Sequence, residues 1–170
     1  MKQLPIVRLR AMEPEDLDLL YSIENDSSIW ALGLTNVPYS RFVLHDFMSN
    51  NTGDIYTDKE VRLLIENEAK EVVGMADLLK FDPKNQKAEL GILISSAFRR
   101  KGYAKAVVSQ IHDYALSTLH LHQLYVVIAT SNEPSLALFR QFGYQQSGIL
   151  RDWLYDGRAY HDAAIMQCFL

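Results

Sequence analysis

Ala88-Glu89-Leu90-Gly91-Ile92-Leu93-Ile94-Ser95, followed at once by Arg99-Arg100-Lys101-Gly102-Tyr103-Ala104, is the stretch on which the fold turns. Residues Ala88 to Ile94 are apolar on both faces of a strand apart from Glu89, the pattern of a strand buried on both sides at the centre of a sheet. A short basic loop with one glycine comes next. A helix then begins near Tyr103, with Ala104, Val107, Val108, Ile111 and Ala115 recurring at helical spacing as one stripe packed on the sheet. The start of such a helix attracts anions, because its first backbone N–H groups have no internal partner and its dipole end is positive. Gly102 lets the backbone approach a ligand closely, small Ala104 keeps the first turn open, and Arg99, Arg100 and Lys101 add positive charge. A diphosphate fits there. An ordinary strand-to-helix turn with solvated basic residues has the same ingredients, so the segment alone leaves both readings open. The G-x-x-x-x-G-K-[ST] and G-x-G-x-x-G loops are absent, so neither ATP nor a dinucleotide is favoured.

Outward from this stretch, strands and helices alternate, each with its own period. Upstream, Val7-Arg8-Leu9 reads as a short strand, and Glu13-Pro14-Glu15-Asp16 as a helix start, with Leu17, Leu20, Tyr21 and Glu24 along the helix. Residues 25–39 are polar, aromatic and irregular, with Trp30, Gly33 and Pro38, and suit the mouth of a substrate site. A second helix runs from about Arg41 to Met48 and breaks at Asn50-Asn51-Thr52-Gly53-Asp54. Val61, Leu63 and Ile65 alternate with their neighbours and turn through residues 67–70 into Val72 to Leu79, an antiparallel hairpin. Downstream, Leu124 to Ile128 reads as a buried strand. Pro134 opens a helix with Leu136, Phe139 and Phe142 inward and Gly143 at its end, and Asp156-Gly157 marks a final hairpin. With no repeat or linker, one mixed α/β domain over residues 1–170 is expected.

The composition agrees. A chain of 170 residues, 48% hydrophobic, is long enough for one substantial core. A net charge of -4 and an isoelectric point near 5.7 argue against a nucleic-acid partner. The lone Cys168 excludes an intramolecular disulfide and reads as a small apolar strand residue. No segment approaches the roughly 18 apolar residues of a membrane span, and Arg8, Arg10 and Glu13 interrupt any signal-like core. A cytoplasmic location and no membrane partner are expected. His45, His112, His120, His122 and His161 show no ligand spacing, so no metal is assigned, and His112 and His120 are expected on helix surfaces.

The R-x-x-G-x-A run at Arg99 to Ala104, the preceding Ala88 to Ser95, and the later Asn132-Glu133-Pro134 with Phe139-Arg140-Gln141-Phe142-Gly143-Tyr144 together resemble the GNAT superfamily of N-acetyltransferases. The resemblance covers nearly the whole chain in order. Val7-Arg8-Leu9-Arg10, Glu15-Asp16-Leu17 and Tyr155-Asp156-Gly157-Arg158 are similar to the branch of ribosomal-protein N-terminal acetyltransferases and spermidine N-acetyltransferases. The resemblance implies a central mixed, mostly antiparallel sheet, splayed around acetyl-CoA as co-substrate, with helices on both faces. The pyrophosphate would then sit on Arg99, Arg100, Lys101, Gly102, Tyr103, Ala104 and Lys105. The pantetheine would follow the backbone of Ile92, Leu93 and Ile94, and Asn132, Ser135 and Phe139 would flank the other side. The acceptor it implies is the primary amine of a small molecule or of a protein N-terminus.

Acetylating an amine requires an unprotonated nitrogen and then a proton for the departing thiolate. Glu89, a carboxylate on the same strand face as Gly91 and Leu93, is the candidate base; an exposed or merely hydrogen-bonded strand residue is the alternative. The family often carries its base on this strand. At Phe139 the chain departs from the spermidine enzymes, which place a proton-donating tyrosine there. Tyr144 is a conceivable substitute but reads better as a core aromatic at the start of a strand; Ser135, Tyr125 and a water are others that the sequence does not rank. It also has Thr35-Asn36-Val37 where those enzymes carry acidic residues ahead of the Pro38-Tyr39 step, which turns expectation from a polycation toward an uncharged or aromatic amine framed by Trp30, Tyr39, Trp153 and Tyr155. A polyamine acetyltransferase, a non-catalytic acyl-CoA-binding module and a partner-binding domain are the competing functions. A homo-oligomer, dimer or larger, is compatible with the exposed helix faces.

Overall fold

The computed structural model describes residues 4–27, 30 and 37–170. Strand β1 (Val7–Arg10) leads through a single 3-10 turn (Pro14–Asp16) into α1 (Leu17–Glu24). The Asp16 carboxylate accepts the Glu13 N–H at 2.8 Å and pairs with Arg10 at 2.7 Å, which closes the helix start onto β1. Helix α2 (Arg41–Asn50) is capped by Ser40, whose hydroxyl accepts the Val43 N–H at 3.2 Å. The break expected at 50–54 is followed by a one-turn helix α3 (Ile55–Asp58), because Asp54 accepts the Tyr56 N–H and caps it. Strands β2 (Val61–Asn67), β3 (Val72–Asp82) and β4 (Lys87–Ile94) then form a meander. A 3-10 turn (Ser96–Phe98) and α4 (Tyr103–Ser117) cross to β5 (Gln123–Ala129). Helix α5 (Glu133–Gln141) leads on to the hairpin β6 (Gln145–Tyr155) and β7 (Tyr160–Phe169).

These strands make one seven-stranded sheet in the order β1-β2-β3-β4-β5-β7-β6. Every neighbouring pair is antiparallel except β4 and β5. Strand β4 takes the central position that its apolar pattern predicted, and the mixed, mostly antiparallel sheet is the one expected. Gly74 admits the close approach of β3 to β4: a Cβ there would sit 2.0 Å from the Leu93 carbonyl oxygen.

Alternation sorts the side chains into two cores. On one face Ile65, Ala76, Leu78, Leu90, Leu124 and Val126 pack with Val107, Val108 and Ile111 of α4 and with Leu136 and Phe139 of α5. On the other, Leu64 and Met75 meet Leu20 of α1 and Leu44 of α2. Two sequence expectations need correction on α4. Ala106, not Ala104, is the buried alanine of the first turn. His112 is not a surface residue, because it borders the stripe set by Val108 and Ala115. Its ring lies 6.0 Å from Phe142 and 5.5 Å from Tyr144, with Nε2 3.1 Å from the Tyr144 hydroxyl. Burial lowers its pKa below the ordinary histidine value. His120 is exposed as expected, but it lies beyond the helix end in a left-handed turn, with φ of 52°. Among the described residues no helix is long and apolar enough to cross a membrane.

Candidate active site

Strands β4 and β5 pair in parallel over only three positions, ending at Glu89 opposite Tyr125. Beyond that point they part. The space between them belongs to a cavity of about 630 Å³, walled by the consecutive residues Leu90 to Leu93 on one side and Val126 to Ala129 on the other. Because consecutive residues point to opposite faces of a strand, the cleft passes between the strands rather than resting on one face. Along Leu90 to Ile94, β4 is paired on its β3 side alone, which leaves the backbone edge toward β5 available to a ligand.

Six of the residues expected from sequence line this cleft together: Glu89, Ile92, Leu93, Asn132, Ser135 and Phe139. Asn132 caps α5, its side-chain oxygen accepting the Ser135 N–H at 3.3 Å, so both face the cleft from the helix start. Phe139 is buried in the wall with Tyr144 edge-on at 4.9 Å. Ile94, the last residue of β4, and Arg99 to Lys105 beyond it lie outside the cavity lining. There Arg99 Nε donates to the Ile94 carbonyl at 2.9 Å, and the Lys101 ammonium lies 5.2 Å from the Phe98 ring centre. Among the described residues, none of Arg99, Arg100, Lys101 and Lys105 forms an ion pair, so their charge is available at the first turn of α4. Gly102 is required for two reasons. Its φ is 92°, and a Cβ would lie 3.0 Å from Cδ of Pro5.

Tyr144 is not placed to serve the site: it is 2% exposed, its hydroxyl meets His112, and it does not line the cleft. Trp30, Tyr39 and Trp153 do line it, whereas Tyr155 stacks on Tyr160 at the hairpin tip and does not. Asn25 holds the mouth in place by accepting the Tyr39 N–H at 2.7 Å, and Trp30 Nε1 donates to the Glu24 carbonyl at 2.8 Å. Thr35 and Asn36 lie outside the described residues.

The charged floor of the cleft was missed from sequence. Arg62 of β2 is the cross-strand neighbour of Asp77 of β3 and grips it with two hydrogen bonds of 2.9 and 3.0 Å; its third contact is Glu24 of α1 at 2.5 Å. Burial works against the Arg62 charge, but Asp77 and then Glu24 outweigh it and raise the guanidinium pKa. Lys80 Nζ donates to Glu89 at 2.7 Å. Glu60 also lines the cleft, and among the described residues no hydrogen bond or ion pair satisfies its carboxylate. The signal available was a polar residue inside an apolar strand, as at Arg62 and Asp77. The pairing depends on register, which local sequence does not reveal.

An open strand edge running from a carboxylate to a cation-rich helix start suits a ligand with an extended arm and a polyanionic end. Comparison with known proteins identifies the architecture. The acetyltransferase (GNAT) domain family matches residues 7–145. A spermidine N(1)-acetyltransferase of Escherichia coli (strain K12) is 28% identical over 164 residues, covering 96% of this chain and 86% of that protein. A Bacillus subtilis (strain 168) protein named for ribosomal N-acetyltransferase activity is 29% identical over 163 residues, covering 92% and 87%. The crystal structure of spermidine N-acetyltransferase from Vibrio cholerae in complex with CoA and spermine superimposes with a TM-score of 0.85 at 25% identity, covering 96% of this chain and 95% of that one. The chain therefore belongs to the GNAT acetyltransferases, enzymes that move an acetyl group from acetyl-CoA to an amine.

Proposed function

We propose that this enzyme acetylates the primary amine of a small molecule or of a protein N-terminus, with Glu89 as the base. One observation carries the reading: Glu89 stands at the point where β4 and β5 part, facing the cleft, while cations that form no ion pair among the described residues lie beyond the far end of the same strand. The residues present fit acetyl-CoA, whose thioester supplies the activated acyl group. Arg99 to Lys105 would hold its diphosphate by charge and by the free N–H groups of the first helical turn. The backbone of Ile92, Leu93 and Ile94 would bind the arm, and Asn132, Ser135 and Phe139 would close the opposite wall. Glu89 accepts the proton that the amine must lose, and the aromatic mouth at Trp30, Tyr39 and Trp153 orients the acceptor and excludes water.

A second reading, a polyamine acceptor, is favoured by Glu60, a cleft carboxylate with no partner among the described residues, and by relatives named for spermidine acetylation. An amine panel of polyamines, amino sugars, aminoglycosides and short peptides, assayed by thiol release, separates the two readings. Turnover restricted to the polyamines supports the polyamine reading; CoA binding without turnover on any amine opposes both. A homo-oligomer, the expectation from the exposed helix faces, is tested by light scattering on the full chain.

A further inference from the structure

Phe139 walls the cleft without a proton to give, and Tyr144 is sealed in the core. Among the proton-bearing side chains that line the cleft, Lys80 is the one ion-paired with Glu89. Its ammonium lies 2.7 Å from the Glu89 carboxylate; the Lys80 side chain is 63% exposed and that of Glu89 16%. Strand β3 is built to put it there. The register against β4 shifts between Leu79 and Asp82, and Lys80 takes a left-handed conformation with φ of 51°, which non-glycine residues adopt only at a cost. On a regular strand Lys80 would face away from Leu79 and from Glu89, the register partner of Leu79; here its ammonium meets the Glu89 carboxylate. Bulges next to active sites re-aim a side chain in this way.

We propose that Lys80 is a catalytic residue, the proton donor to the departing thiolate, and that it works as a pair with Glu89. The proposal rests on the reading of Glu89 as base. In the step, the amine nitrogen's lone pair forms the new N–C bond to the acetyl carbonyl carbon, and the C–S bond breaks with its electron pair leaving on sulfur. Glu89 takes the proton that the nitrogen loses. Lys80 Nζ gives a proton to the sulfur and becomes a neutral amine. The protonated Glu89 then returns its proton to Lys80 across their contact, so both residues are restored and one proton has passed from nitrogen to sulfur.

The electrostatics run the same way. The Lys80 pKa is raised first of all by its hydrogen bond to Glu89, with burial opposing and the Glu89 charge adding to the rise. When Glu89 is protonated its raising effect falls away and burial remains. The ammonium therefore becomes more acidic as the thiolate leaves. Tyr125, on β5 opposite Glu89, is the other titratable group in this field. Burial, and then the Glu89 charge, raise the pKa of its phenol, so it stays protonated.

The test compares Lys80→Arg and Lys80→Met with the wild-type chain, on an amine that the wild type accepts. The acetyl donors are acetyl-CoA and an acetyl thioester of a more acidic thiol. Arginine can keep the ion pair with Glu89 but does not release its proton. The expected result is a fall in kcat of about 100-fold for both variants with acetyl-CoA, unchanged acetyl-CoA affinity, and a loss of less than about 10-fold with the more acidic leaving thiol, which needs less protonation. Wild-type kcat in Lys80→Arg overturns the proposal, because holding Glu89 would then be enough. An equal loss with both thioesters overturns it too. Glu89→Gln is measured alongside: wild-type kcat and pH profile there would sink the base reading itself, whereas a slow Glu89→Gln beside a fast Lys80→Arg sinks the Lys80 proposal alone.

Discussion

The two faces of the sheet are built to different ends. On the α4 face, Val107, Val108, Ile111 and Leu124 are fully buried and meet other apolar groups. On the α1–α2 face the apolar contact is confined to the small cluster around Leu20, Leu44, Leu64 and Met75. Beside it Arg62 of β2, Asp77 and Lys80 of β3 and Glu89 of β4 line an open cleft. One face stabilises the fold, and the other holds charges in position. Stability and catalysis should therefore be separable by mutation, face by face.

The largest effect is expected on the closed face. Ile111→Ala should lower unfolding free energy by about 3 to 5 kcal/mol and leave kcat per folded molecule unchanged; denaturant melts with active-site titration check this. Next, Glu89→Gln on the open face should lower kcat at neutral pH by about 100-fold, close to 3 kcal/mol of transition-state stabilisation, with the melting temperature unchanged. Its rate should partly recover at high pH, where free amine is abundant, and an unaltered pH–rate profile would remove Glu89 from the role. Gly102→Val, strained at φ of 92° and crowded against Pro5, should raise the acetyl-CoA KM about 10-fold, near 1.4 kcal/mol, and the amine KM less. Equal effects on both would point to general misfolding instead.

The smallest effect concerns His112, whose folded pKa is depressed by burial. Below the unfolded value of about 6.5 the unfolded chain binds the proton more readily. The contribution is therefore present above that pH and lost as the pH falls through it. Thermal melts of wild type and His112→Gln between about pH 7.5 and 5 should show a shallower decline in the variant; parallel curves would assign the acid sensitivity elsewhere.

Much of the closed face was legible beforehand, because its signals are local. The stripe of α4, the turn at 67–70 and the Asp156-Gly157 hairpin each follow from a few adjacent residues. So do the basic loop and the start of α4 at Arg99 to Ala104, since loop, glycine and helix start are contiguous. Ala104 and His112 were misplaced because a stripe locates a face without marking its edges. The open face was harder to read. Glu24, Arg62 and Asp77 come from α1, β2 and β3 and become one network only when the register pairs them. Lys80 reads as an outward strand residue until the bulge turns it toward Glu89.

By itself, then, the sequence determined the order of elements, the central place of β4, the basic, glycine-containing start of α4 and the presence of a lone carboxylate at Glu89, since each depends on periodicity or on neighbours along the chain. Tertiary structure decided where β4 and β5 part, which charges share the cleft and which of them has no partner among the described residues. Those features depend on how strands far apart in the chain are registered and twisted against one another, and that is settled by packing over the whole sheet rather than by any one segment.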